Sequence, residues 1–195
     1  MNVKIRKLHE YAAVPEYATQ LSAGFDLVAT EDVIIAPGET ALIPTGLAFE
    51  IPEGHEMQIR PRSGITKNTK LRVGNAPGTC DADFRGEVKV IIDNIAQLRY
   101  SGTISVRVDT CRNYKTLDGG SVVTEDTRHY RNAYADDNHY DMYPREVPVG
   151  TYIIRKGDRI AQGIITPIIR ATFEVVEELT ETERGSGGFG STSIR

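Results

Sequence analysis

Much of what would place this chain in a familiar chemical class is missing from it. No apolar run approaches the length of a membrane span, which takes about 20 residues as a helix. The basic opening MNVKIRKLHEY is followed by no apolar stretch, so no secretory signal is expected. Only two cysteines occur, Cys80 and Cys111, without a CxxC spacing; they read as reduced cytosolic thiols, not as a disulfide framework or metal ligands. The histidines His9, His55, His129 and His139 show no metal spacing, and no nucleophile–His–Asp set suggests itself. There is no GxxxxGK(S/T) loop, and the glycine-rich tail is followed by no helix, which excludes P-loop and Rossmann phosphate sites. A net charge of −4 gives no electrostatic case for a nucleic-acid or membrane partner. An anionic ligand would have to be met by locally placed arginines and backbone amides.

What remains is an ordinary globular composition, 39% hydrophobic and 26% charged over 195 residues. That suits one domain with a sizeable core, or one domain carrying a large insertion. Short β-type runs recur: Val3–Leu8, Phe25–Ala29, Val33–Ile35, Leu47–Ile51, Met57–Arg60, Glu87–Asp93, Ile104–Val108, Tyr152–Arg155 and Phe173–Val176. Turn residues separate them, as in Pro37-Gly38, Pro52-Glu53-Gly54, Pro77-Gly78 and Lys156-Gly157-Asp158. In EVKVIID, Val88, Val90 and Ile92 share one face. Only Gly64–Thr69 and Leu179–Arg184 hint at a helical turn. The pattern predicts an all-β sandwich, jelly roll or barrel. Residues 95–150 differ in texture: polar, loop-like in RNAYADDNHYD, and holding Tyr100, Tyr114, Tyr130, Tyr134, Tyr140 and Tyr143.

Five short stretches look chemical. In SAGFDL, Asp26 opens a strand; alone it is a turn former. In RPRSGIT, Arg62, Ser63 and Gly64 fall where a strand should end and a helical turn begin, so that amides of Ser63 and Gly64 can meet an anion. In NAPGTCDADFRGEV, Gly78 and Gly86 can bend a hairpin that holds Asp81 and Phe84 three apart. A carboxylate beside an aromatic suits a sugar on the ring and an oriented water; the plainer reading is a solvated Asp81 and a core Phe84. Asp83 reads as solvated. In KGDRIAQGI, Gln162 can reach an oxygen from a groove. The tail RGSGGFGST supplies Arg184 as a bidentate charge, glycines that permit amide nests, and Phe189 as a cap for a flat base. By itself such a tail reads more simply as a frayed terminus.

Taken in this order, the five stretches resemble the five motifs of the homotrimeric dUTPase (dUTP diphosphatase) family, over roughly Val3–Asn94 and Thr151–Thr192. The resemblance implies a jelly-roll-like subunit, a threefold trimer with each active site built from three chains, and magnesium-assisted hydrolysis of dUTP to dUMP and pyrophosphate by water attack on the α-phosphorus. It implies that Asp81 activates the water and that Asn75, Gly78, Thr79 and Cys80 read the uracil edge through the hairpin. Phe84 would lie under the deoxyribose, and Asp26 would hold magnesium-bound water. Arg62, Ser63, Gly64 and Gln162 would bind phosphates. In the tail, Arg184 would take the γ-phosphate, Phe189 would stack on uracil, and Gly190, Ser191 and Thr192 would wrap the triphosphate. The division expected is a β-core of residues 1–94 and 151–183, an inserted segment of 95–150, and a lid of 184–195.

Two departures stand out. Phe84 occupies the place of the family's usual tyrosine, and the insertion is far longer than an ordinary loop. The related dCTP deaminases carry a glutamate where this chain has Ile91, and Arg-Ser-Ser where it has Arg-Ser-Gly; without the acid/base group, deamination is not expected. The tyrosine-rich segment keeps open a binding role toward a regulatory protein, as in some phage dUTPases with an extra segment here. The simpler alternative is a segment that decorates the surface or extends the β-structure. The expected location is the cytoplasm, the host's if the chain is phage-encoded.

Overall fold

A computed structural model describes residues 1–101, 107–123 and 146–187. The chain is built almost wholly from strands, as its short alternating runs require. The first half supplies β1 (Lys4–Lys7), β2 (Phe25–Val28), β3 (Val33–Ile35), β4 (Thr40–Pro44), β5 (Leu47–Glu50) and β6 (His55–Pro61). A single helical turn, α1 (Ser63–Asn68), follows β6 and leads into β7 (Leu71–Val73), β8 (Gly78–Cys80) and β9 (Lys89–Asn94). After four short strands, β10 (Tyr100–Ser101), β11 (Arg107–Val108), β12 (Thr110–Cys111) and β13 (Asn113–Lys115), come β14 (Ser121–Val123) and β15 (Val147–Pro148). The core closes with β16 (Tyr152–Ile154) and β17 (Arg159–Pro167).

Three sheets matter for function. One runs β2-β17-β6-β8, a second β4-β9-β7, and a third β14-β13-β16-β3. Each strand sends alternate residues inward: Phe25 and Leu27 from β2, Met57 and Ile59 from β6, Val90 and Ile92 from β9. Their burial against Ile35, Ile43, Leu71, Ile154 and Ile160 makes one continuous apolar core. Close packing is visible at Gly163, where an added Cβ would lie 2.6 Å from Cζ of the Phe25 ring, closer still to its Cε2, and 3.2 Å from Met57 Sδ.

Asn94 is buried at the end of β9, and its side chain is fully used. Its Nδ2 donates to the carbonyls of Ile35 and Gly150, both at 2.9 Å, and its Oδ1 accepts from Ala96 N–H at 3.0 Å. These bonds pin together the two ends of the 95–150 segment, as a buried amide must be satisfied. Part of that segment joins the core sheets: β13 pairs in parallel with β16 and antiparallel with β14. Tyr114 is buried there, whereas Tyr100 is exposed. Tyr130, Tyr134, Tyr140 and Tyr143 lie outside the described residues, as does most of the Ile104–Val108 run.

Two expectations are corrected. Phe173–Val176 is not a strand, and Leu179–Arg184 is not helical; both lie in an exposed stretch after β17 that has no regular secondary structure. A strand needs a ladder partner, and among the described residues none lies beside Phe173–Val176. An isolated turn of helix without a packed face does not offset its nucleation cost. Among the described residues, no helix is long and apolar enough to cross a membrane.

Candidate active site

Strand alternation places Asp26 and Gln162 side by side. Phe25 and Leu27 point into the core, so Asp26 points outward and half-buried, directly opposite Gln162 of β17. Gln162 is in turn opposite Arg60 of β6, whose chain runs on into Arg62, Ser63 and Gly64. Gly24 permits the close approach: a Cβ there would lie 3.2 Å from Gln162 Oε1. Gln162 Nε2 reaches the Pro61 carbonyl at 3.4 Å.

Two arginines hold the Asp26 carboxylate from either side. Arg62 Nε lies 3.1 Å from Oδ1 and Arg159 Nη1 lies 3.2 Å from Oδ2. Arg62 Nη1 also donates to the Arg159 carbonyl at 3.1 Å. Arg159 did not emerge from the sequence. It stands at a register shift in β17, between Arg159 and Ala161, and a bulge of this kind re-aims a side chain. The first backbone acceptor used by α1 is the Arg62 carbonyl, taken by Thr66 N–H, so the amides of Ser63 and Gly64 precede the helical bonding.

These groups line one cleft of about 840 Å³, within the range of small-molecule sites. Asp26, Arg62, Ser63, Gly64 and Gln162 are brought together there, with Arg155, Asp158 and Arg159 added. Burial pushes the Asp158 carboxyl above its usual range, against the pull of its hydrogen bond from Arg155 N–H. A Cβ on Gly64 would meet nothing within 4 Å, so the chain's own packing does not demand glycine at this point.

The third motif is elsewhere. β8 leaves the β7–β9 pair and joins β6, with Ile59 opposite Gly78 and Met57 opposite Cys80. Gly78 and Cys80 face inward, Thr79 outward, and Asn75 folds its side-chain amide over Gly78. Burial pushes the Cys80 thiol up, with the Asp81 charge adding to the shift; what Cys80 offers outward is backbone. Asp81 begins a tight turn closed by Phe84 N–H on the Asp81 carbonyl at 3.2 Å. Phe84 is 45% exposed, not a core residue, and its ring lies over Gly86, where a Cβ would be 2.6 Å from Cζ. Asp83 is exposed, as expected. Asp81 lines a second cleft of about 590 Å³ with His55, Arg85 and Arg170. Within one chain, then, Asp81 is not in the cleft that holds Asp26.

Arg184 is exposed, and its Nε donates to the Gly187 carbonyl at 2.8 Å. Phe189, Gly190, Ser191 and Thr192 lie outside the described residues. Among the described residues no three His, Cys, Asp or Glu gather as a metal cage. Asp26 stands half-buried beside Arg62, Ser63, Gly64 and Gln162 in a cleft that also holds Asp118 and Asp158. This donor set fits magnesium, which keeps most of its waters and asks for only one or two carboxylates, better than a metal needing several protein ligands.

Known proteins resemble this chain along nearly its whole length. The dUTPase family model matches residues 10–109 and 150–193. A deoxyuridine 5'-triphosphate nucleotidohydrolase of Nautilia profundicola is 41% identical over 98% of this chain and 99% of its own length. The Staphylococcus bacteriophage 80alpha dUTPase, solved with dUpNHpp, is 28% identical at a TM-score of 0.79, covering 99% of each chain. A variant of the dUTPase from phage phi11 of S. aureus, solved to describe coordination of a structural Mg(II) ion, is 28% identical at a TM-score of 0.73, covering 93% of this chain and all of that one. With the split match falling on either side of the extra β-segment, and the relatives aligned nearly end to end, this chain belongs to the dUTPase family, enzymes that hydrolyse dUTP.

Proposed function

We propose that the chain acts as a homotrimer that converts dUTP to dUMP and pyrophosphate by magnesium-assisted attack of water on the α-phosphorus. The observation that carries this reading is the clamp of Arg62 and Arg159 on Asp26, beside Ser63, Gly64 and Gln162, in one cleft. Cationic side chains, an amide and backbone N–H groups gather there, which is what phosphoryl transfer by positioning and charge neutralisation requires. Asp81 stands in a different cleft of the same chain, so a complete site calls for a neighbouring copy. Head-to-tail contacts in a closed ring repeat such a shared site three times.

In this reading Arg62, Gln162 and the amides of Ser63 and Gly64 take the phosphates. Asp26 holds magnesium through water; the metal, when bound, neutralises the charge of the triphosphate. Asn75, Gly78 and the backbone of Thr79 and Cys80 read the uracil edge. Phe84, exposed and seated on Gly86, lies under the deoxyribose and leaves no room for a 2′-hydroxyl. Asp81 takes the proton of the attacking water. Arg184, Phe189, Gly190, Ser191 and Thr192 close as a lid that excludes bulk water and adds selectivity. The activity would limit uracil in DNA and supply dUMP for dTTP synthesis in the cytoplasm.

The test is pyrophosphate release from dUTP, dCTP, dTTP and UTP with magnesium, for the wild type and Asp81→Asn. Release from dUTP alone, lost in the variant, is the expected result. Release that survives Asp81→Asn would remove Asp81 from its role, and comparable release from UTP would remove Phe84 from its.

A further inference from the structure

One wall of the cleft comes from residues outside the two stretches that the family model matches. The hairpin β13–β14 falls in the gap between residues 109 and 150, yet Thr116, Asp118, Gly120 and Ser121 line the same cleft as Asp26 and Arg62. The turn is fixed in place. Lys115 N–H donates to the Thr151 carbonyl at 2.9 Å, Thr116 N–H to the Gly120 carbonyl at 3.1 Å, and Leu117 packs against the core. Asp118 Oδ1 accepts from Thr116 Oγ1 and from Gly120 N–H.

Of the three carboxylates of the cleft, Asp26 alone has an ion-pair partner among the described residues. Asp158 and Asp118 differ in that burial pushes the first up while the Thr116 and Gly120 hydrogen bonds hold the second down. Asp26 is neutralised by two arginines, and Asp158 Oδ2 accepts the Arg155 N–H in its own turn. Asp118 has no ion-pair partner among the described residues, although Arg155 is near enough to help hold its carboxyl below the usual range, after the Thr116 and Gly120 hydrogen bonds. A negative charge that the turn holds on the wall of a triphosphate site, with no salt bridge of its own among the described residues, works against the ligand's charge. A divalent cation on the triphosphate removes that conflict.

We propose that Asp118 is a specificity-determining residue that makes this cleft favour the magnesium-complexed triphosphate over the free one. The inference rests on the reading of the cleft as the phosphate site. Like charges across a binding site select by repulsion of the wrong ligand. Because Asp118 is exposed, water and salt weaken the repulsion, so the expected effect is a modest fold-change that depends on ionic strength.

The test is calorimetric binding of dUpNHpp to the full-length protein, in EDTA and in saturating magnesium, for the wild type and Asp118→Asn. Asparagine keeps an oxygen for both turn hydrogen bonds and removes the charge, with an amide NH2 in place of the second oxygen. The variant should bind the metal-free analogue about three- to fivefold more tightly at low salt, with the magnesium complex shifted by less than about twofold. The difference should vanish at about 0.5 M salt. Equal shifts for both ligand forms, or none, would overturn the proposal. Thr116→Val, which keeps the charge and removes a turn hydrogen bond, should retain wild-type discrimination; if it copies Asp118→Asn, turn geometry and not charge is responsible and the proposal falls. If the wild type binds dUpNHpp in neither condition, the assignment of the cleft itself fails, and this inference with it.

Discussion

Replacing Gly64 by alanine should make the protein slightly more stable and a worse enzyme. The added Cβ meets nothing within 4 Å, and the residue sits in the first turn of α1 without a left-handed φ. Glycine in such a place costs stability through the freedom of the unfolded chain, about 0.5–1 kcal/mol relative to alanine. In a domain of this size that corresponds to a rise of about 1–4 °C in the midpoint of thermal unfolding. The cleft side predicts the opposite sign for function. If the Gly64 amide approaches a phosphate oxygen, a methyl group at that point displaces it, and loss of one charge-assisted hydrogen bond of about 2 kcal/mol weakens substrate by about 30-fold. The assay is a thermal melt of the free protein beside steady-state kinetics with dUTP. A variant with higher stability and unchanged KM and kcat would refute the reasoning, because glycine would then have no use here. A large loss of stability would refute it equally.

Other consequences can be measured alongside. Gly163→Ala should lower stability by about 2 kcal/mol, seen in chemical denaturation, since its Cβ would collide with the buried Phe25 ring and crowd Met57. Gly86→Ala should displace Phe84 and narrow the ratio of dUTP to UTP turnover without a comparable loss of stability. Asp158 has a carboxyl raised by burial, so the folded state keeps its proton where the unfolded chain has already lost it. Stability should therefore fall as pH rises from the ordinary carboxylate value to the folded one, and Asp158→Asn should flatten that part of the profile measured by denaturant titration. Cys80, buried and with its thiol pushed up, should resist alkylation in the native protein and react once it is unfolded, as mass spectrometry would show.

The parts of the fold that sequence revealed are those where one strand carries its own signal. Val88, Val90 and Ile92 alternate in sequence and are buried together, because a period of two admits only one inward face. β4 escaped notice because Pro44 reads as a turn, although it pairs with Lys89 at the end of the ladder. Phe173–Val176 misled for the converse reason: the local pattern is β-like, but pairing depends on a partner that pattern cannot name. At the site, Asp26, Arg62 and Gln162 were legible as motif residues, yet their convergence depends on register, with Gln162 opposite Asp26. Arg159 was not legible, since a bulge decides which way it faces. Nor did composition indicate that Thr116 and Asp118, within a polar insertion, would line the cleft that holds Asp26 and Arg62.

The central claim is that a working site needs more than one chain, because Asp26 and Asp81 lie in separate clefts of each. Mixing two inactive variants tests it most directly: Asp26→Asn with Asp81→Asn, unfolded together in equal amounts and refolded, then assayed for pyrophosphate release from dUTP. Where two neighbours each supply one of the two carboxylates, random assembly leaves about a quarter of the sites with both native residues. The account predicts recovery of about that fraction of wild-type activity. No recovery from a mixture shown to contain mixed trimers would contradict it, placing both carboxylates of each working site on a single chain.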